Sequence, residues 1–220
     1  MDDGPTLTLA DAGALVGGYR WMEHRLFRIT GSWAATCTDP AVQLHLLESS
    51  HQHAWHARLW ADRLPALDHV DPEALTAPFG AAARPLFDAV ETLPGTLLSP
   101  DAPGTRSGSI GGSVDPLDVR RLSALYRVTV PRLIATYGRH LARASAVTEA
   151  PTIRALRLVL RDEMESWQAG EALLEALLTV PGLALVAAET QRGLESIVVE
   201  AGIGTGLAPW PDEVGGPPPR

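Results

Sequence analysis

Glu48-Ser-Ser-His51 sets a carboxylate and an imidazole one helical turn apart, on one face if the segment is helical. Both groups are ordinary ligands of divalent transition metals. A second carboxylate, Glu23, lies about one helix earlier. A third, Glu163, opens Glu163-Met-Glu-Ser166, with Ser where the first pattern has His. Apolar residues flank each Glu at one-turn spacing. A lone buried carboxylate is costly and either shifts its pKa or finds a partner. Three of them facing one core would repel each other unless a cation intervened, and a divalent metal is such a cation. The expected ligands are therefore Glu23, Glu48, His51 and Glu163, with a divalent metal as the ion. The competing expectation sends each Glu to solvent or to an Arg, the candidates being Arg20, Arg25 and Arg161.

Neighbouring residues extend this set. Tyr19, one turn before Glu23, is placed either to hydrogen-bond that carboxylate or to act as a redox-active phenol. Tyr19 and Glu163 are the candidate catalytic residues. Trp55 stands two turns beyond Glu48 and Trp167 one turn beyond Glu163, and with Tyr126 they are expected to line an aromatic substrate pocket. The competing role for the tryptophans is core filling. His45, His51, His53 and His56 fall within one helix. His53 and His56 point to a different side from Glu48 and His51 and would need partners from another helix or subunit to hold a metal. They are read as surface or interface histidines. The chain has no Gly-rich phosphate loop, no Gly-x-Ser-x-Gly elbow and no Cys-x-x-Cys pair.

The elements that must position these residues follow from apolar spacing near 3.6, which predicts an all-α chain. The first helix is expected over about 8–33, with Val16, Tyr19, Glu23, Leu26 and Thr30 on one stripe. Asp39-Pro40 caps a second helix running to about Leu64, with Leu44, Glu48, His51, Trp55 and Leu59 as its stripe. A long connection, 65–116, holds one short helix near 80–92 and a Gly/Ser/Pro-rich stretch, 99–113, expected to be mobile. Asp115-Pro116 opens a third helix to about Ser145, kinked at Pro131, with stripe Leu122, Tyr126, Thr129, Leu133, Tyr137 and His140. The fourth spans about 151–178, with Leu156, Leu160, Glu163, Trp167 and Leu174. A fifth covers about 183–201, and Leu194, Ile197 and Val198 are its candidate surface for a homodimer. A single domain over 1–201 with a disordered tail, 202–220, is expected.

Composition bounds the partners. The 220 residues carry a formal net charge of −8, and all 18 basic residues are Arg. An acidic chain without a basic run is a poor ligand for nucleic acid or anionic membrane. No stretch approaches twenty apolar residues, and the acidic N-terminus lacks a secretory pattern. One cysteine, Cys37, cannot form an internal disulfide, so a cytoplasmic location is expected. The Arg-only basic set and the abundance of Ala and Gly fit a GC-rich bacterial coding sequence.

The order Glu23, Glu48-x-x-His51, long connection, third helix, then Arg161-Asp162-Glu163 resembles the ferritin-like superfamily over about 8–178. The resemblance implies a four-helix bundle with a long crossover between helices 2 and 3, here with an extra C-terminal helix. In that family a Glu on helix 1 and Glu-x-x-His on helix 2 hold one metal, and a Glu on helix 3 and Glu-x-x-His on helix 4 complete a second. Glu23, Glu48, His51 and Glu163 match. The third helix has no Glu, and Ser166 replaces the last His. One metal, two metals with substitute ligands, or a metal-free relic all stay open. The implied activity is a non-haem metal-dependent oxidase or oxygenase, with iron or another divalent metal as its ion, acting on a small molecule in bacterial specialised metabolism. One alternative is a metal-free binding or scaffold protein. Another is a DinB-like metal-dependent transferase with a three-His site drawn from His51, His56 and His140.

Overall fold

The computed structural model describes residues 7–66, 68, 70–78, 83–93, 114–202 and 206–208, and every regular element among them is helical. They are α1 (Leu9–Ala34), α2 (Pro40–Ala61), a 3₁₀ turn (Pro72–Leu75), α3 (Ala83–Glu91), α4 (Pro116–Ser123), a π-helical segment (Ala124–Thr129), α5 (Val130–Arg143), α6 (Ala150–Leu178) and α7 (Leu183–Glu200). No helix among the described residues is long and apolar enough to cross a membrane. The expected loop 99–113 and most of the expected tail, 203–205 and 209–220, lie outside the described residues, as do 80–82 of the expected short helix.

The helix starts follow local chemistry. Thr8 Oγ1 accepts the Asp11 N–H at 3.1 Å. Asp39 accepts from Ala41 and Val42, and Asp115 from Leu117, each ahead of a proline whose missing N–H costs nothing at the first turn. A short connection makes α1 and α2 neighbours. Gly17 lets α1 approach the 3₁₀ turn so closely that a β-carbon there would lie 1.9 Å from the Leu75 carbonyl oxygen.

The expected stripes of the first and third helices are buried throughout. The kink expected at Pro131 takes a different form. Val130 N–H donates five residues back, to Leu125 O, so α4 and α5 join through a π turn. In that register the next donor would be residue 131, which as proline has no N–H. The Trp167 indole of α6 supplies the missing donor, to Tyr126 O at 2.8 Å.

The α2 stripe is the main correction. Leu44, Glu48, His51 and Trp55 face outward, Leu44 at 58% and Trp55 at 43% exposure. The buried face carries Val42, His45, Leu46, Ser49, His53, His56 and Trp60 instead. Because apolar residues occupy both sides of α2, periodicity hardly separates its faces. On α7, Leu194 and Val198 pack inward, while Leu185 and Val199 are exposed. Within the span read as a tail, Leu207 and Ala208 are buried, and Leu207 N–H donates to Thr136 Oγ1 at 2.7 Å.

Candidate metal centre

Glu23 enters the core on α1 between Met22 and Leu26, both fully buried. His53 and His56 enter from α2 one turn apart, and Glu163 enters from α6. One ligand atom from each of the four lies within 4.8 Å of the others. Glu23, His56 and Glu163 are 0% exposed and His53 is 2%. His53 Nδ1 donates to Glu23 Oε2 at 2.7 Å and lies 3.3 Å from Glu163 Oε1. His56 Nδ1 lies 3.1 Å from Glu163 Oε1 and 3.5 Å from Glu23 Oε1. Both imidazoles thus turn the same nitrogen inward.

Further groups fix the ligands from behind. Tyr137 of α5 donates to Glu23 Oε1 at 2.5 Å. His56 Nε2–H reaches Asp162 Oδ2 at 3.4 Å, a carboxylate behind an imidazole as in many metal sites. Glu163 Oε2 is buried and has no hydrogen-bond partner among the described residues. Such an orphaned oxygen calls for an explanation, and a cation is one that fits two carboxylates and two imidazoles. The cluster could hold a metal ion, and its donors leave the identity of that metal open.

Electrostatics inside the cluster are tightly linked. Burial pushes Glu23 up, but His56 and His53 outweigh it and hold the carboxyl well below the usual range. Burial pushes both histidines down, but the paired carboxylates prevail and raise His53 to about 9 and His56 to about 10. Two carboxylates and two imidazoliums sum to zero charge. So do two carboxylates, two neutral imidazoles and one divalent ion, so an ion can replace two protons without leaving net charge in the core.

Of the ligands expected from sequence, Glu23 and Glu163 meet here. Glu48 and His51 do not; they line a surface depression with Gln52 and Trp55. The missed members of the cluster are His53 and His56, whose His-x-x-His spacing was the available signal. None of the candidate Arg partners reaches the cluster. Arg20 pairs with Glu73, Arg25 with Asp88 and Glu91, and Arg161 with Asp162. Tyr19 is buried, yet its hydroxyl meets His140 Nδ1 at 3.0 Å rather than Glu23, and Tyr137 takes the expected place on the carboxylate. The expected pocket residues are dispersed. Trp55 lies on the outer face of α2, and Trp167 is 36% exposed. Tyr126 turns its hydroxyl to His45 at 2.7 Å and Ser49 at 3.1 Å. His51, His56 and His140 form no three-histidine group. Comparison with protein-family models, curated proteins and solved structures finds no match. The fold and site define an all-helical protein with a buried His/Glu cluster, compatible with a helical metal-binding bundle.

Proposed function

We propose that this chain is a ferritin-like helical bundle that holds one divalent transition metal ion, iron(II) foremost, on Glu23, His53, His56 and Glu163, and uses it to oxidise a small molecule. One observation carries the reading: two carboxylates and two inward Nδ1 atoms converge from three helices on one buried point, with Glu163 Oε2 left unsatisfied. When bound, such an ion supplies Lewis acidity and single-electron exchange. The chain's own residues do the rest. Asp162 holds His56 by Nε2 and so keeps Nδ1 turned inward, Tyr137 orients Glu23, and Met22 and Leu26 exclude water beside it.

The test is anaerobic titration of metal-free protein with iron(II), manganese(II), cobalt(II) and zinc(II). One equivalent is expected for the preferred ion. Glu163→Gln and His53→Ala should each weaken binding by at least ~10-fold, the scale of losing a ligand or its support. Glu48→Ala and His51→Ala should leave it unchanged. Failure of all four ions to bind would overturn the reading. The metal-free scaffold reading draws on a separate observation, the zero net charge of two carboxylates beside two imidazoliums. It expects that failure.

A further inference from the structure

Beside the cluster, buried aromatic rings follow one another toward the surface. Tyr137, which donates to Glu23, stacks on Trp60 with centroids 5.5 Å apart and planes at 28°. Tyr19 meets Tyr137 edge-on at 4.9 Å and Trp60 at 5.1 Å. The Tyr19 hydroxyl then reaches His140 Nδ1 at 3.0 Å, and His140 Nε2 reaches Glu149 Oε1 at 2.9 Å. The Glu149 side chain is 10% exposed at the start of α6, and nearby Val147 is 91% exposed.

Chemistry gives these groups different duties. A carboxylate only accepts, so Glu149 sets the His140 tautomer: Nε2 carries the proton and Nδ1 accepts from Tyr19. Burial lowers the His140 pKa, which favours the neutral imidazole whose Nδ1 accepts from Tyr19. Tyr137 also has a base at its hydroxyl, Glu23. Trp60, in contact with both phenols, is buried with its Nε1–H unpartnered among the described residues. Both phenols can therefore give up a proton with an electron, while the indole beside them has no base. Packing alone would explain touching rings. It does not require a base aligned on each phenol and none on the indole.

We propose that Tyr137, Trp60 and Tyr19 form a one-electron relay between the buried Glu/His cluster and the surface near Glu149, with His140 as the proton acceptor of Tyr19. Only the relay's inner destination rests on the metal reading. The elementary step balances as follows. Tyr19 gives one electron to a one-electron oxidant and its hydroxyl proton to His140 Nδ1. The O–H bond breaks, an N–H bond forms, and the products are a neutral tyrosyl radical, an imidazolium facing Glu149 and the oxidant reduced by one electron. An electron from Tyr137 then refills Tyr19, the proton returns from His140 Nδ1 to the Tyr19 oxygen, and the Tyr137 proton passes to Glu23 Oε1, which leaves a neutral radical on Tyr137.

The experiment uses metal-free protein, so its outcome is separate from that of the metal titration. A ruthenium polypyridyl photo-oxidant is attached at Val147→Cys in a Cys37→Ser background and flashed with an irreversible electron acceptor. Frozen samples are read by electron paramagnetic resonance. The expected signal is a neutral tyrosyl radical that narrows when the protein carries ring-deuterated tyrosine. Tyr19→Phe should abolish it, and His140→Gln should cut its yield at least tenfold. Tyr137→Phe should remove one of two tyrosyl species while the Tyr19 species persists. The relay is overturned by an unchanged yield in Tyr19→Phe or His140→Gln, by a signal lost only in Tyr126→Phe, or by no deuterium-sensitive signal in the otherwise unsubstituted labelled protein.

Discussion

At the residue scale, the four cluster side chains set how the protein responds to protons. His53 and His56 are raised to about 9 and about 10, so in metal-free protein at neutral pH both hold a proton on the nitrogen that a metal would take. Binding one divalent ion at pH 7 should therefore release close to two protons, measurable in weak buffer with an indicator dye. Affinity should rise with pH until about 9–10 and then level off. Stability of the metal-free chain follows the same groups with opposite signs. The histidines are raised on folding, so their contribution is complete below their ordinary 6.5 and is lost as pH climbs through 9 to 10. Glu23 is lowered, so its contribution is complete above its ordinary 4.5 and is lost as pH falls below that. Urea denaturation across pH should thus show a plateau between about 4.5 and 6.5, with losses on both sides.

At the element scale, the π turn joining α4 to α5 depends on a group from another helix. Tyr126 O faces a proline in its own register and is satisfied by the Trp167 indole. Trp167→Phe leaves that carbonyl without its donor and should cost about 1–3 kcal/mol in urea denaturation. Adding Pro131→Ala should recover part of the loss, because residue 131 then has an N–H to offer, and the double-mutant cycle would show the coupling. Trp167 thus holds the π turn, a role its one-turn offset from Glu163 did not reveal.

At the scale of the whole molecule, the cluster ties α1, α2 and α6 together, with α5 joined through Tyr137. An ion that binds this arrangement and not the unfolded chain stabilises the fold by mass action. At a free concentration of about 100 times Kd the gain is about 2.7 kcal/mol. For a chain of this size that raises Tm by about 5–10 °C, and calorimetry at several ion concentrations should show the shift growing with concentration. In Glu163→Gln, with binding weakened at least ~10-fold, the shift should fall to about half or less at the same concentrations.

The amino-acid sequence by itself determined the all-helical class, the starts of α1, α2 and α4, and the burial of Glu23 and Glu163. Those signals are local: a cap beside a proline, and long apolar stripes that leave a helix one face to bury. It also showed that isolated carboxylates in such stripes need a counter-charge. Only the tertiary structure decided which face of α2 supplies it. Leu44, Leu47 and Trp55 on one side of that helix nearly balance Val42, Leu46 and Trp60 on the other, so spacing alone pointed to Glu48-x-x-His51. Packing against α1 and α6 turned the other face inward and brought His53 and His56 to the carboxylates. The choice was made by contacts across more than a hundred residues of chain, between His56 and Glu163, which no window along one helix contains.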